Sequence, residues 1–223
     1  KEFIFIISNK KKMIKEYFYN DVFFRQMLKK KKKDKQLKLQ YLKIRKLKKM
    51  IKFVYQNSPR GTGDAVLRCK RLIKSKHFLM LLPDDLILKS NCSSAMMKLH
   101  QRYNASVIAS KKVKAHEVSR WGIFKLKKFS KNNFLIKDVV EKPKTNLAPS
   151  NYAVIGRYIL PTKIFNILKK QKPGQNGEIH ITDAIRTLIH QNNKFIGHLF
   201  AGKYLDCGTM KGYVNSFIKI SKL

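Results

Sequence analysis

The sequence predicts an α/β fold, a mostly parallel sheet flanked by helices, and three observations predict it. The run Phe78-Leu79-Met80-Leu81-Leu82-Pro83 is apolar throughout, the pattern of a strand buried on both faces inside a parallel sheet. It stops on Asp84 and Asp85, and in open α/β sheets ligands gather beyond the carboxyl ends of strands. From Ile51 to Ser110 the patterns alternate strand, helix, strand, helix, strand, the signature of right-handed βαβ units.

Taken in order, Lys1 to Ser8 reads as a first strand, followed by a lysine-rich helical segment to about Leu28. Lys29 to Lys35 is a charge run that repels itself and is expected as an exposed loop. Leu37 to Lys49 continues as helix, and Ile51 to Tyr55 is a second strand. The loop from Gln56 to Ala65 opens a helix ending near Lys74, and the strand from Phe78 to Pro83 follows. Asn91 to Tyr103 is a helix with Ala95, Met96 and Leu99 on one face, and Ala105 to Ser110 is another strand. Beyond it the texture changes. Gly122 to Leu126 and Phe134 to Val140 read as a hairpin, and Tyr152 to Leu160 as a strand. Pro161 starts a helix where its missing N–H costs little, and Lys172-Pro173-Gly174 closes it. Thr182 caps a helix running through Ile185, Leu188 and Ile189, and Phe195 to Ala201 is a last strand. Tyr213, Val214, Phe217 and Ile218 give the terminal helix its apolar face. With no internal repeat and no clear linker, residues 1–223 read as a single domain, in which 29–49 is a lysine-rich variable segment.

A chain of 223 residues with 43% hydrophobic content can bury one sizeable core. No apolar run approaches the roughly 18–20 residues that span a bilayer, so no membrane partner is expected. Cys69, Cys92 and Cys207 are odd in number and show no C-x-x-C spacing. That argues against a disulfide framework or zinc site and for a reduced, cytoplasmic compartment. The 50 basic and 13 acidic residues give a formal charge of +37, a balance that attracts polyanions. Yet the lysines run through nearly every segment, beside many Asn, Ile, Phe and Tyr residues whose codons are equally AT-rich. Base composition then accounts for the excess, and no specific nucleic-acid partner is expected, although phosphorylated substrates would be attracted.

Four stretches can carry chemistry. Pro59-Arg60-Gly61-Thr62-Gly63 lies between a strand and a helix, where glycines let the backbone approach a ligand and the helix N-terminus favours anions. Gln56, at the strand's end, offers the amide donor and acceptor that suit a nucleobase edge. Asp84 and, in Tyr204-Leu205-Asp206-Cys207-Gly208, Asp206 are carboxylates at two strand exits. Two hard oxygen donors of that kind suit Mg²⁺ bound jointly with phosphates, while Asp85 reads as solvated. Glu141-Lys142 puts a carboxylate beside an ammonium at a strand end, able to take sugar hydroxyls and a phosphate respectively. Gly122, after Trp121, would let a ligand reach the backbone.

In this order, Gln56…Pro59-x-Gly61-x-Gly63-x-Ala65, Leu82-Pro83-Asp84, Trp121-Gly122, Val140-Glu141-Lys142-Pro143, Pro149-Ser150-Asn151-Tyr152 through Tyr158, Gly177-Glu178-Ile179-x-Ile181-Thr182-Asp183-Ala184-Ile185 and Asp206-Cys207-Gly208 resemble the sugar-nucleotide pyrophosphorylases. Gly156 to Leu160 and Asp206-Cys207-Gly208 are most similar to the bacterial branch that couples UTP to glucose 1-phosphate. The resemblance covers the chain apart from Lys29 to Lys49. It implies a Rossmann-like nucleotidyltransferase fold with a mixed sheet, and the reaction of UTP with glucose 1-phosphate to give UDP-glucose and pyrophosphate. It implies Asp84 and Lys142 as catalytic residues, with Asp84 and Asp206 holding Mg²⁺ no more than about 8 Å apart. Lys142 would bind the sugar phosphate, Glu141 and Gly122 the glucose ring, and Gln56 and Gly61 the uridine. A homo-oligomer is expected.

The family opens with a strand and a Gly-x-Gly-Thr-Arg loop, then a Pro-Lys element, which hold the nucleotide phosphates, and Lys1 starts at a later strand. The chain is thus expected to be truncated at its N-terminus, inactive as it stands, and to leave Phe3 to Ile7 or Phe78 to Leu82 beside an unpaired edge. Two alternatives remain: an inactive remnant of such an enzyme, and a basic nucleic-acid-binding protein on an α/β scaffold.

Overall fold

Phe3–Ile7, β-branched and aromatic throughout, forms strand β1. In the computed structural model, which describes residues 2–31, 34–174 and 177–222, β1 pairs in parallel with β2 (Ile51–Tyr55), from Phe3 opposite Ile51 to Ile7 opposite Tyr55. Three helices separate the two strands in sequence: α1 (Lys12–Tyr19), α2 (Val22–Lys30) and α3 (Lys35–Lys48). Asp34 caps α3 by accepting from Leu37 N–H at 2.9 Å. Of the charge run expected as a loop, Lys29, Lys30 and Lys35 lie in helix ends and Lys31 and Asp34 connect them, with Lys32 and Lys33 outside the described residues, as is Lys1. Helix α4 (Thr62–Arg68) stops short of the expected Lys74 because Cys69, Lys70 and Leu72 each bond three residues back, which tightens the chain into turns.

Strands β3 (His77–Leu81), β8 (Tyr152–Pro161), β5 (Ser106–Lys112), β9 (Phe195–Leu199), β7 (Asn133–Glu141) and β6 (Gly122–Lys128) lie side by side in that order. A bridge from Ile123 to Ala153 joins β6 back to β8. The sheet is mixed, as expected, but not mostly parallel. Among the described strand pairs only β1–β2 and β5–β9 run parallel, because β8 lies antiparallel between β3 and β5 and the β6–β7 hairpin is antiparallel by nature.

The strand buried on both faces is β8, where every residue but Arg157 is buried. The run from Phe78 gives an edge strand instead. β3 pairs only with β8, antiparallel, and leaves Leu79 and Leu81 38% and 48% exposed. An apolar run reports a tendency to be buried and says nothing of which neighbours arrive. Among the described residues β1 and β3 each keep one unpaired edge, in line with expectation.

Alternate residues of β5 face two layers. Val107 and Ala109 pack with Met96 of α5 (Cys92–Tyr103), and Ile108 packs with Ile164, Phe165 and Leu168 of α6 (Ile164–Leu168) and Ile185 and Leu188 of α7 (Ile181–His190). Pro161 ends β8 rather than starting α6, and α6 closes at Leu168 well before Lys172. Thr182 lies inside α7 and caps nothing. The Thr62 hydroxyl, from α4, accepts the Ile181 N–H at 3.2 Å, so the helix start is satisfied by another element.

A short strand missed by the sequence reading, β4 (Asp85–Leu88), and the strand that ends on Asp206, β10 (Lys203–Asp206), form an antiparallel ribbon. Helix α8 (Met210–Ile220) follows, capped by the Thr209 hydroxyl, which accepts from Gly212 N–H at 3.1 Å. Tyr213, Val214, Phe217 and Ile218 are exposed rather than packed. The helix docks instead through Gly212 and Ser216, small residues that let it approach the Asp206 carbonyl. Exposed lysines occur on α1 (Lys12), α3 (Lys38, Lys46), the hairpin (Lys127, Lys137) and α8 (Lys211, Lys219) rather than on one element. No helix among the described residues is long and apolar enough to cross a membrane.

Candidate active site

The β3–β4 turn and the loop after β10 are tied together by main chain. Cys207 N–H donates to the Asp84 carbonyl at 2.8 Å, and Asp206 stands opposite Asp85 in the ribbon. A Cβ built on Gly208 would lie 2.9 Å from Asp84 Oδ2 and 3.3 Å from Asp206 Oδ1. The two oxygens are thus roughly 6 Å apart at most, within the separation of about 8 Å expected of them. Asp206 ends β10, whereas Asp84 lies in a turn, and each is open enough to meet solvent. Two hard oxygen donors this close fit Mg²⁺ when phosphate oxygens and water complete its shell. Among the described residues no group of three or more His, Cys, Asp or Glu could hold a metal alone.

Gly122 faces Glu141 across the hairpin, and Glu141 Oε2 lies 3.2 Å from where a Gly122 Cβ would stand. The absent side chain therefore makes room for a carboxylate. Lys142 follows with φ +44°, a left-handed conformation that costs a non-glycine residue about 1–2 kcal/mol, and its N–H donates to the Trp121 carbonyl at 3.0 Å. Backbone geometry thus fixes the Lys142 turn, while its side chain stays exposed. Buried Tyr158 of β8 lies near both groups. Burial, then the charges of Asp85, Glu141 and Asp84, push its hydroxyl far above the usual tyrosine range.

Gln56 and Gly61 bond within their own loop rather than to these residues. Gln56 Nε2 donates to the Gly61 carbonyl at 3.1 Å and to Asp64 Oδ2 at 2.8 Å. Gly61 has φ +94°, and a Cβ there would meet the Ile179 carbonyl at 2.6 Å. The loop is pinned by Gly63 N–H to Ile179 O at 2.7 Å and Ile179 N–H to Arg60 O at 2.8 Å. The close approach that these glycines allow is to the chain itself. Burial acts to raise the Asp64 carboxyl, but bonds from Arg68 and Gln56 outweigh it and hold it low. The first turn of α7 stands between the two regions, with Ile181 bonded to Thr62 and Thr182 Cγ2 3.5 Å from the Gly122 Cβ position.

Residues 4–222 match the family model of nucleotidyl transferases. The chain belongs to the nucleotidyl transferase family. It is 36% identical to a UTP–glucose-1-phosphate uridylyltransferase of Pseudomonas aeruginosa, over 78% of this chain and 63% of that protein. A Streptococcus pyogenes protein of the same name is 37% identical over 74% of this chain and 56% of its own length. The chain thus spans less than two thirds of these curated relatives. A solved UDP-glucose pyrophosphorylase complexed with UDP-glucose superposes with a TM-score of 0.81 at 34% identity, over 99% of this chain and 81% of the other. A UTP-bound Acinetobacter baumannii enzyme gives 0.83 at 28% identity, covering 98% and 76%.

In this nucleotidyl transferase the cluster contains groups that the sequence did not mark. Arg120 Nη2 lies 3.3 Å from Asp206 Oδ2. Lys111 Nζ stands 4.4 Å over the Tyr204 ring. Burial lowers its ammonium pKa, against the charges of Glu117 and Asp206. In a chain with 50 lysines and arginines, spacing alone offered no signal for either. Asp85 is not solvated but buried, and burial raises its carboxyl pKa despite hydrogen bonds from Tyr204 and Gly156.

Proposed function

We propose that this chain serves uridylyl transfer between UTP and glucose 1-phosphate, with UDP-glucose and pyrophosphate as products. The observation that carries it is the approach of Asp84 and Asp206 around Gly208, beside a Glu141–Gly122 pair and an exposed Lys142. A sugar-phosphate oxygen attacks the α-phosphorus in line, and the bond to the pyrophosphate oxygen breaks. No covalent enzyme intermediate is required, so positioning and electrostatics suffice. Lys142 meets the sugar phosphate, and Glu141 accepts sugar hydroxyls in the space that Gly122 leaves. Gln56 donates within its own loop, which leaves its carbonyl oxygen for the uracil N–H, and the Gly61 loop lies alongside. Asp84 and Asp206 would hold Mg²⁺, which supplies charge neutralisation on the phosphates.

A cytoplasmic setting belongs to the same proposal, supported by three free cysteines. So does self-association, supported by the exposed apolar face of α8 and checked by sedimentation. Calorimetry with UDP-glucose tests the site. Binding should strengthen at least about tenfold with Mg²⁺, a gain of about 1.4 kcal/mol, and Asp84→Ala should abolish the gain. No binding, or a gain that survives in Asp84→Ala, overturns the proposal. Pyrophosphate release from UTP, glucose 1-phosphate and Mg²⁺ then decides the alternative. Turnover above about 1 s⁻¹ marks an enzyme, and binding without turnover marks the inactive form.

A further inference from the structure

We propose that Asp85 is a positioning residue that holds Asp84 and Asp206 at one point. This rests on the reading above, in which those two carboxylates share an ion. β4 and β10 are four residues each, and a ribbon so short is marginal by itself. Asp85 anchors it to the sheet. Its Oδ2 accepts Gly156 N–H at 2.7 Å, its Oδ1 accepts the Tyr204 hydroxyl, and its carbonyl accepts Arg157 Nη1 at 2.6 Å.

The sheet is shaped to receive it. The β5–β8 register jumps between Ile108, opposite Tyr158, and Ala109, opposite Ile155. Gly156 and Arg157 are therefore left over as a bulge, a device that frees backbone groups and re-aims side chains. The freed Gly156 N–H meets Asp85, and the Gly156 carbonyl accepts Leu82 N–H at 2.8 Å. Gly156 thus grips the turn on both sides of Asp84. A Cβ at Gly156 would collide with Asp85 Oδ2 and Leu82 Cβ. On the opposite strand, Tyr204 stands two residues before Asp206, and its ring is backed by Trp121 at 6.0 Å.

Asp85 is itself placed away from any ligand role. It is 7% exposed, and both carboxylate oxygens already have partners inside the protein. Its neighbours Asp84 and Asp206 are the accessible pair. A buried polar group held by fixed donors on two elements specifies one arrangement of both.

The test titrates Mn²⁺ into ¹⁵N-labelled chain of 223 residues and reads paramagnetic broadening at the amides of Asp84, Cys207 and Gly208. Asp85→Ala should weaken Mn²⁺ binding at least about tenfold while the other amide signals keep their positions. Asp85→Asn should stay within about threefold of wild type, because its carbonyl can accept Gly156 N–H while its amide donates to the Tyr204 oxygen. Should Asp85→Ala fail to fold, Tyr204→Phe removes one donor only and should weaken Mn²⁺ about threefold or more. Wild-type affinity in Asp85→Ala, or in Tyr204→Phe, overturns the proposal. Equal loss in Asp85→Asn and Asp85→Ala overturns it too, since the charge rather than the hydrogen bonds would then matter. Absence of broadening at these amides in the wild type removes the shared-ion reading and this proposal with it. Normal wild-type broadening that persists unchanged in the variants removes this proposal alone.

Discussion

Gly208→Ala probes the space between the two site carboxylates with a single methyl group. Gly208 is not among the glycines with left-handed φ, so alanine suits its backbone. The methyl would stand 2.9 Å from Asp84 Oδ2 and 3.3 Å from Asp206 Oδ1. The first distance is shorter than real carbon contacts allow, so the exposed Asp84 side chain must turn, at about 0.5–1.5 kcal/mol for a strained rotamer. Removing glycine's freedom in the unfolded chain offsets about 0.4–1 kcal/mol of that. Net stability therefore changes by less than about 1 kcal/mol, a melting shift within about 2–4 °C for a chain of this size. Ion binding should suffer far more. Mg²⁺ needs its oxygens at about 2 Å, and the methyl both occupies the gap and turns one ligand away. Mn²⁺ affinity, read by electron paramagnetic resonance, should fall at least about tenfold, or about 1.4 kcal/mol, with the melting temperature nearly kept. Affinity within about twofold of wild type would refute the placement of the ion between Asp84 and Asp206.

Lys142→Ala should weaken glucose 1-phosphate binding about tenfold to a hundredfold, the loss of a charge-assisted bond, and equal calorimetric affinity would remove Lys142 from the site. Gly156→Ala should destabilise by about 1–3 kcal/mol through overlap with Asp85 and Leu82, and an unchanged urea midpoint would contradict the clamp. Asp138 is held low because bonds and charge from Arg186, with His190 nearby, outweigh the raising effect of burial. Its folded pKa lies below the unfolded value, so its contribution exists above about pH 4 and fades as pH falls through the folded pKa. Asp138→Asn should therefore lower stability by up to about 1 kcal/mol at pH 6, with the gap to wild type closing in thermal melts as the pH falls through the folded pKa. A gap that widens in acid would reverse the assignment. Burial pushes the Cys69 and Cys92 thiols up to about 11, so iodoacetamide should label the half-exposed Cys207 first. Fast labelling of Cys69, seen by mass spectrometry, would contradict that core.

The grouping of the candidate site residues was more legible in the sequence than the sheet's order. Asp84, Asp206, Gly122, Glu141 and Lys142 lie at strand exits and turns where such residues are also ordinary caps and loops, and it was the ordered resemblance that raised them above that. The structure brings Asp84 close to Asp206, and Gly122 close to Glu141. The run from Phe78 to Pro83 misled because an apolar string is equally a centre strand or an edge whose neighbour is unpaired, and only long-range pairing distinguishes them. β8, the strand that is in fact buried on both faces, carries Gly156 and Arg157 in its middle, which dilutes its apolar signal, and those two residues form the bulge that receives Asp85. Asp85 was misread for a related reason. A carboxylate beside another at a turn looks solvated until Gly156 and Tyr204, distant in sequence, supply its donors. The two glycines of the Gly61 loop were equally visible, but their close neighbour, Ile179, could not be read from local spacing.

The most direct measurement is anomalous scattering from crystals of the chain soaked in Mn²⁺ and UDP-glucose. The account predicts one manganese peak with oxygens of both Asp84 and Asp206 at about 2–2.5 Å, and the sugar phosphate beside Lys142. Manganese bound elsewhere, or to neither carboxylate while UDP-glucose is in place, would contradict it.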